Sequence, residues 1–124
     1  MYHPDKRVMI CGNQLNIALE IMSRIRLAYE YCPSSVKIGV VTYNKSCIEF
    51  ENNSTIRCFA TGSSGTRGFS ANCLVLDEAA FIPKHVADEF MSSVFPVLSS
   101  SKDSKAIMVS TPNGTYNNLF YDIW

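Results

Sequence analysis

Residues 73–78 read Cys73-Leu74-Val75-Leu76-Asp77-Glu78, an unbroken apolar run that ends in two adjacent acids. A run with no polar alternation suits a strand covered on both faces, the central position of a parallel sheet. At the carboxyl end of such a strand the chain leaves the core, and open α/β sheets bind their ligands there. Side chains alternate along a strand, but the first residues past it can both turn toward the crevice. Two carboxylates in that place offer hard oxygen donors for Mg²⁺ and a base able to orient and polarise a water. The plainer alternative is a strand end with two solvated acids, since short apolar-Asp-Glu strings also arise by accident.

The flanking sequence agrees with a layered α/β arrangement. Arg7–Cys11 is a short apolar run that predicts a buried strand. Asn13 is placed to cap a helix, and Leu15, Ala18, Leu19, Met22, Ile25 and Tyr29 recur at helical spacing from Gln14 to about Tyr31, with Pro33 beyond. Val36–Val41 predicts another strand. Cys47–Phe50 and Ile56–Ala60 flank Asn52-Asn53, and Asn tolerates positive φ, so a hairpin is expected. Downstream, Val86, Phe90 and Val94 predict the inner face of a helix over Lys84–Val94, stopped by Pro96. Ser99–Ser104 reads as a solvated connection and Lys105–Ser110 as a second central strand. Thr111-Pro112-Asn113-Gly114 reads as a turn. Asn117–Trp124 predicts the start of a further helix, with Leu119, Phe120 and Ile123 on one side. Alternating β and α units argue for a sheet with crossover helices.

With 124 residues, one domain spanning 1–124 is expected. Hydrophobic residues make up 47% and charged residues only 18%, so some apolar surface is expected to meet a partner. Eleven basic residues balance eleven acidic ones, without the positive excess of a free-standing nucleic-acid binder. The five cysteines, Cys11, Cys32, Cys47, Cys58 and Cys73, form no CxxC pair, which suits reduced, mostly buried thiols in a cytosolic protein rather than a zinc site. No run approaches the roughly 20 apolar residues of a membrane span.

Other strings are less decisive. Ser110-Thr111 places hydroxyls at the end of the second apolar strand, where helicase-like ATPases carry a Ser-Ala-Thr or similar string that senses a γ-phosphate or its water. Ordinary turn entry explains the same residues. The loop Gly62–Gly68 has glycines but no following Lys, so it does not match GxxxxGK[ST]. Arg67 within it is a candidate for touching phosphate or a neighbouring subunit, or is simply a solvated side chain. No GxSxG string is present, and neither His3 nor His85 has a catalytic setting.

Taken together, NCLVLDEAAFIP, FPVLSSS and SKAIMVSTPNGTYNNLFYDIW resemble the ATPase domain of tailed-phage terminase large subunits, the DNA-packaging motors. VVTYNKSCIEFENNSTIRCFAT and the Arg-Gly-x-Ser step at Arg67–Ser70 extend the resemblance over nearly the whole chain. It implies a three-layer P-loop NTPase sheet (ASCE, RecA-like), truncated, with a β-hairpin insertion. Residues 73–78 would then be the Walker B strand, with Asp77 the Mg²⁺-supporting acid and Glu78 the catalytic carboxylate. Val109-Ser110-Thr111 would be the coupling motif, with Ser110 and Thr111 on its hydroxyl positions.

The resemblance implies that the parent uses ATP and Mg²⁺ to drive double-stranded DNA into a procapsid. Its partners would be a portal protein, a small terminase subunit and a homo-oligomeric ring, in the host cytoplasm and away from membranes. The parent would also carry a nuclease domain, of which nothing is present. The Walker A loop would fall before Arg7, where six residues stand. These residues alone are therefore expected to bind nucleotide weakly and not to hydrolyse it. Loss of the P-loop strand would also leave Lys105–Ser110 as an apolar edge open to self-association. The rivals are another ASCE helicase or translocase, which would lack the string from Ser110 to Trp124, and a non-catalytic remnant acting as an interaction module.

Overall fold

The strand β5 (Cys73–Asp77) lies between β1 (Arg7–Gly12) and β6 (Lys105–Val109) and pairs parallel with both. The structure is a computed structural model that describes residues 2–99, 102–114 and 118–123. Three more strands, β2 (Val40–Tyr43), β3 (Cys47–Phe50) and β4 (Thr55–Ala60), complete a six-stranded sheet in the order β2-β3-β4-β1-β5-β6. β4, β1, β5 and β6 run parallel, and β2-β3-β4 form an antiparallel meander on one side.

Alternation along the strands sends side chains into two cores. Met9 and Cys11 of β1 join Leu74 and Leu76 of β5 under α2 (Lys84–Ser99), whose Ala87, Phe90, Val94 and Leu98 are buried at helical spacing. On the opposite face Ile10, Val75, Ile48, Phe50 and Cys58 pack with Ala18 and Met22 of α1 (Leu15–Glu30). The sheet is therefore the middle of three layers. A short helix, α3 (Leu119–Ile123), packs on the α2 side through Leu119 and Phe120.

One residue ties three strands at their amino ends. Asn72 donates its backbone N–H to the Arg7 carbonyl (2.8 Å) and accepts the Arg7 N–H on its side-chain oxygen (2.9 Å). Its own carbonyl accepts the Lys105 N–H at 2.9 Å.

Several expectations are corrected. Gln14, not Asn13, holds the N-cap, with no side-chain bond; its carbonyl accepts the Ile17 N–H instead, so the backbone closes the first turn. Leu15 is left exposed. Only Val40 and Val41 of Val36–Val41 are in a strand, because Val36 and Lys37 donate to Pro33 and Ser34 in turns. Pro96 does not stop α2, which runs on to Ser99. Proline removes one helical hydrogen bond, but Val94 and Leu98 on either side of it are buried in the core, and that packing carries the helix through. Of the five thiols only Cys11 and Cys58 are fully buried, and all five are free. The hairpin is as expected, with Asn53 at φ 63° between β3 and β4. Residues 100–101, 117 and 124 of the connection and of the last helix lie outside the described residues. No helix among the described residues is long and apolar enough to cross a membrane.

Lys105–Val109 has the apolar, parallel character expected of it and stands at the sheet edge, as the resemblance implies. Lys105 turns its N–H toward β5, so by alternation the amides of Ala106 and Met108 face outward. Ile107 and Val109 are 49% and 53% exposed, an apolar edge of the kind that recruits another strand. At about 10⁻⁵ M the chain is expected to sediment as a dimer or larger, and Ile107→Lys should return it to monomer; a monomeric parent chain in ultracentrifugation would contradict this.

The two buried thiols give the fold a pH dependence. Burial, and then the neighbouring Cys58, raises Cys11 from 9.0 to about 12; burial, and then Cys47, raises Cys58 to about 11. The folded state keeps these protons after the unfolded chain has lost them. Stability present below pH 9 is therefore expected to fall as pH rises through 9 toward 12. Urea midpoints measured from about pH 8 to about pH 11 should decline, and a flat profile would rule the effect out.

Candidate functional site

The four parallel strands end on one line. In register, Ala60 of β4 lies beside Gly12 of β1, Gly12 beside Asp77 of β5, and Asp77 beside Val109 of β6. The segments that leave this line carry nearly every residue singled out in the sequence: Thr61–Gly68 after β4, Glu78 after β5, and Ser110-Thr111 after β6. Gly12 is needed for close packing here, since a Cβ would stand 3.0 Å from the Ile17 Cβ and 3.1 Å from the Gln14 carbonyl oxygen.

Past Asp77 the backbone reverses. Glu78 adopts φ 54° and ψ 39°, the left-handed region. For a residue with a Cβ this conformation costs about 1–2 kcal/mol. It takes the Glu78 side chain out of the strand's alternation and leaves it exposed. Two hydrogen bonds hold the turn, the second of them closing its 3-10 helix. The Glu78 N–H donates to Asp77 Oδ1 at 2.9 Å, the Phe81 N–H donates to the Glu78 carbonyl at 2.9 Å, and Ala79–Phe81 form one 3-10 turn.

Ser110 joins this turn. Its Oγ accepts the Ala80 N–H at 3.0 Å and donates to the Thr111 carbonyl at 3.0 Å. The structure thus brings Asp77, Glu78 and Ser110 together, with Thr111 exposed beside them. The Asn113 amide also reaches the turn, donating from Nδ2 to the Ala80 carbonyl at 3.1 Å. Behind it, Asn118 donates from Nδ2 to the Asn113 carbonyl (3.0 Å) and accepts the Tyr121 N–H on Oδ1 (2.9 Å). Neither asparagine stands out in the sequence, where TPNG is turn chemistry; the only local signal is a run of amide side chains between a strand end and a helix.

Arg67 is not with the acids. Its guanidinium pairs with Glu89 on α2, both side chains about 60% exposed (59% and 62%). Lys84 pairs with Asp122 of α3 at 2.8 Å, and that hydrogen bond raises the Lys84 ammonium above the usual lysine value.

Mg²⁺ fits the donor chemistry in part. Asp77 has one oxygen engaged by the Glu78 N–H and a second carboxylate oxygen of the hard type that Mg²⁺ takes. No group of three His, Cys, Asp or Glu converges among the described residues. A cation held by one carboxylate together with phosphate oxygens and water matches that arrangement.

The fold is the RecA-like α/β fold of P-loop ATPase domains. Within that class it is the fold of the ATPase region of phage large terminases. The large terminase of a thermophilic bacteriophage superimposes with a TM-score of 0.71 at 14% identity, covering 99% of this chain and 30% of that one. The large terminase of bacteriophage HK97 gives 0.71 at 14% identity over 94% of this chain and 24% of its own. The large terminase ATPase domain of Thermus phage P74-26 gives 0.63 at 22% identity over 92% of this chain and 51% of its own. The chain therefore spans between about a quarter and a half of these structures. No protein-family model matches the sequence.

The Arg67–Glu89 pair is solvent-exposed, so it adds little to stability. Arg67→Ala is expected to change the unfolding free energy by less than about 0.5 kcal/mol in denaturant titrations; a loss of several times that would make Arg67 a structural residue.

Proposed function

We propose that this single domain is part of the ATPase motor of a phage or prophage terminase large subunit, running from the strand before its first helix through Walker B to the coupling motif. The observation that carries this reading is the common line of strand ends. From it the acid pair and the Ser110 hydroxyl emerge side by side, on a fold that matches large terminases over nearly the whole chain.

Glu78 is the water-activating carboxylate in this reading. Its exposed side chain stands past the strand end, where it can accept a hydrogen bond from the attacking water, fix its direction and take up its proton. Asp77, anchored by the Glu78 N–H, would hold Mg²⁺ through its other oxygen. Bound Mg²⁺ would supply neutralisation of phosphate charge. Ser110 links the coupling segment directly to the turn that carries Glu78, with Thr111 the next hydroxyl along. ATP is the proposed nucleotide, in keeping with the thermophilic phage's large terminase, which has been captured with ADP. Arg67 would serve phosphate or a neighbouring subunit after leaving Glu89. Double-stranded DNA, a portal protein, a small subunit and a ring of like subunits in the host cytoplasm complete the proposed setting.

The sequence contains no GxxxxGK[ST] string. A phosphate cradle supplies most of the grip on a triphosphate. These 124 residues alone are therefore expected to show no ATP turnover above background. An in-frame upstream extension that carries a cradle should hydrolyse ATP, and Glu78→Gln in it should lower kcat by about 10²–10⁴-fold. Turnover by the bare chain that Glu78→Gln abolishes would overturn the need for the cradle. Full activity of Glu78→Gln in the extended chain would overturn the role of Glu78.

A further inference from the structure

Both polar groups of one peptide residue, Ala80, are taken up by the segment that follows β6. Its N–H goes to Ser110 Oγ at 3.0 Å and its carbonyl receives Asn113 Nδ2 at 3.1 Å. Ala80 is 3% exposed, so neither group has water as a ready substitute, and leaving either one unpaired costs about 1–3 kcal/mol. A carbonyl can only accept, so Asn113 must present its amide nitrogen there. A backbone N–H can only donate, so Asn118 must present its oxygen to Tyr121 and its nitrogen to the Asn113 carbonyl. Asn118 is 7% exposed, so its surroundings dictate its orientation; Asn113 is exposed, and the Ala80 carbonyl that it meets dictates its own.

This clamp sits two residues past Glu78, whose left-handed backbone has to be held from outside. The contacts run in series. Glu78 is followed by Ala80; Ala80 is gripped by Ser110 and Asn113; Asn113 is held by Asn118; and Asn118 caps the first turn of α3 through the Tyr121 N–H. The Lys84–Asp122 pair fastens the same helix to the start of α2.

We propose that Asn113, backed by Asn118, is a positioning residue for Glu78: the amide ladder from α3 to Ala80 sets the direction of the Glu78 carboxylate. This rests on the reading of Glu78 as the water-activating group. Displacement of α3 then tilts the Ala79–Phe81 turn and takes Glu78 out of line.

Asn113→Asp separates the hydrogen bond from packing, because it keeps the shape and exchanges the donor for an acceptor that repels the Ala80 carbonyl. In the 124-residue chain, amide exchange at Ala80 and Phe81 should quicken about tenfold in Asn113→Asp and in Asn118→Asp, with β1 amides unchanged. Ser110→Ala, which removes the other half of the clamp, should do the same and serves if an asparagine variant fails to fold. In the extended, cradle-bearing chain, Asn113→Asp should lower kcat about tenfold or more at an unchanged KM for ATP. Unchanged exchange at Ala80 in all three variants would overturn the proposal. Quickened exchange with an unchanged kcat, in a protein that Glu78→Gln inactivates, would overturn it too. If Glu78→Gln itself stays active, the reading of Glu78 fails, and the exchange data still report whether the ladder holds the turn.

Discussion

A parallel strand is satisfied only when both neighbours are in register, and Asn72 fixes that register for three strands at once. Its backbone and side chain bond Arg7 from both directions, and its carbonyl takes the amide that opens β6. A slip of one residue would turn every side chain of β5 to the wrong face. Leu74 and Leu76 would leave the α2 core, and Val75 would leave the α1 core. The line of strand ends at Ala60, Gly12, Asp77 and Val109 is the far consequence of the same register. The acids stand where they do because an asparagine at the opposite end of the sheet sets the count.

At the carboxyl end the chain accepts local strain and surrounds it with bonds. Glu78 has a backbone conformation that glycine would adopt more easily, yet a glycine would bring no carboxylate. The strain is met from two directions: by the Asp77 side chain just before it and by the β6–α3 segment, which grips Ala80 just after it. Rigidity at the turn is thus borrowed from residues some 30 positions later in the chain. That dependence makes the turn sensitive to the placement of α3, a property that a self-contained loop would not have.

What could be read from the sequence was what depends on near neighbours. The apolar run of β5, the helical spacing of Ala18, Met22 and Tyr29, the Asn53 turn and the inward set of α2 all follow from residues within a few positions of each other. What could not be read depends on distant partners. Pro96 reads as a stop until the core under Val94 and Leu98 is known. Asn13 looks like a cap, yet the first turn is closed from the Gln14 carbonyl. β6 has the composition of a central strand; its edge position is expected only from the resemblance, not from its own residues, and the strand order agrees with it. Asp77, Glu78 and Ser110 were legible as candidates because each ends an apolar run. The partners that hold them, Asn113 and Asn118, were not, because an amide in a turn carries no mark of the carbonyl it meets 33 residues away.

The position of β1 has a consequence in time. It precedes the other five strands in the chain, yet it lies inside the sheet, between β4 and β5. Its bond to Asn72 spans 65 residues. At a synthesis rate of roughly 5–20 residues per second, β1 waits several seconds on the ribosome before its second neighbour exists. During that interval α1 can cover only the Ile10 face; Met9 and Cys11, which face α2, stay uncovered, and the edge of β1 that will meet β5 stays open even after β4 has been made. The sheet closes around the earliest of these strands last, so its assembly is governed by long-range loop closure rather than by the local hairpin, which can form on its own schedule.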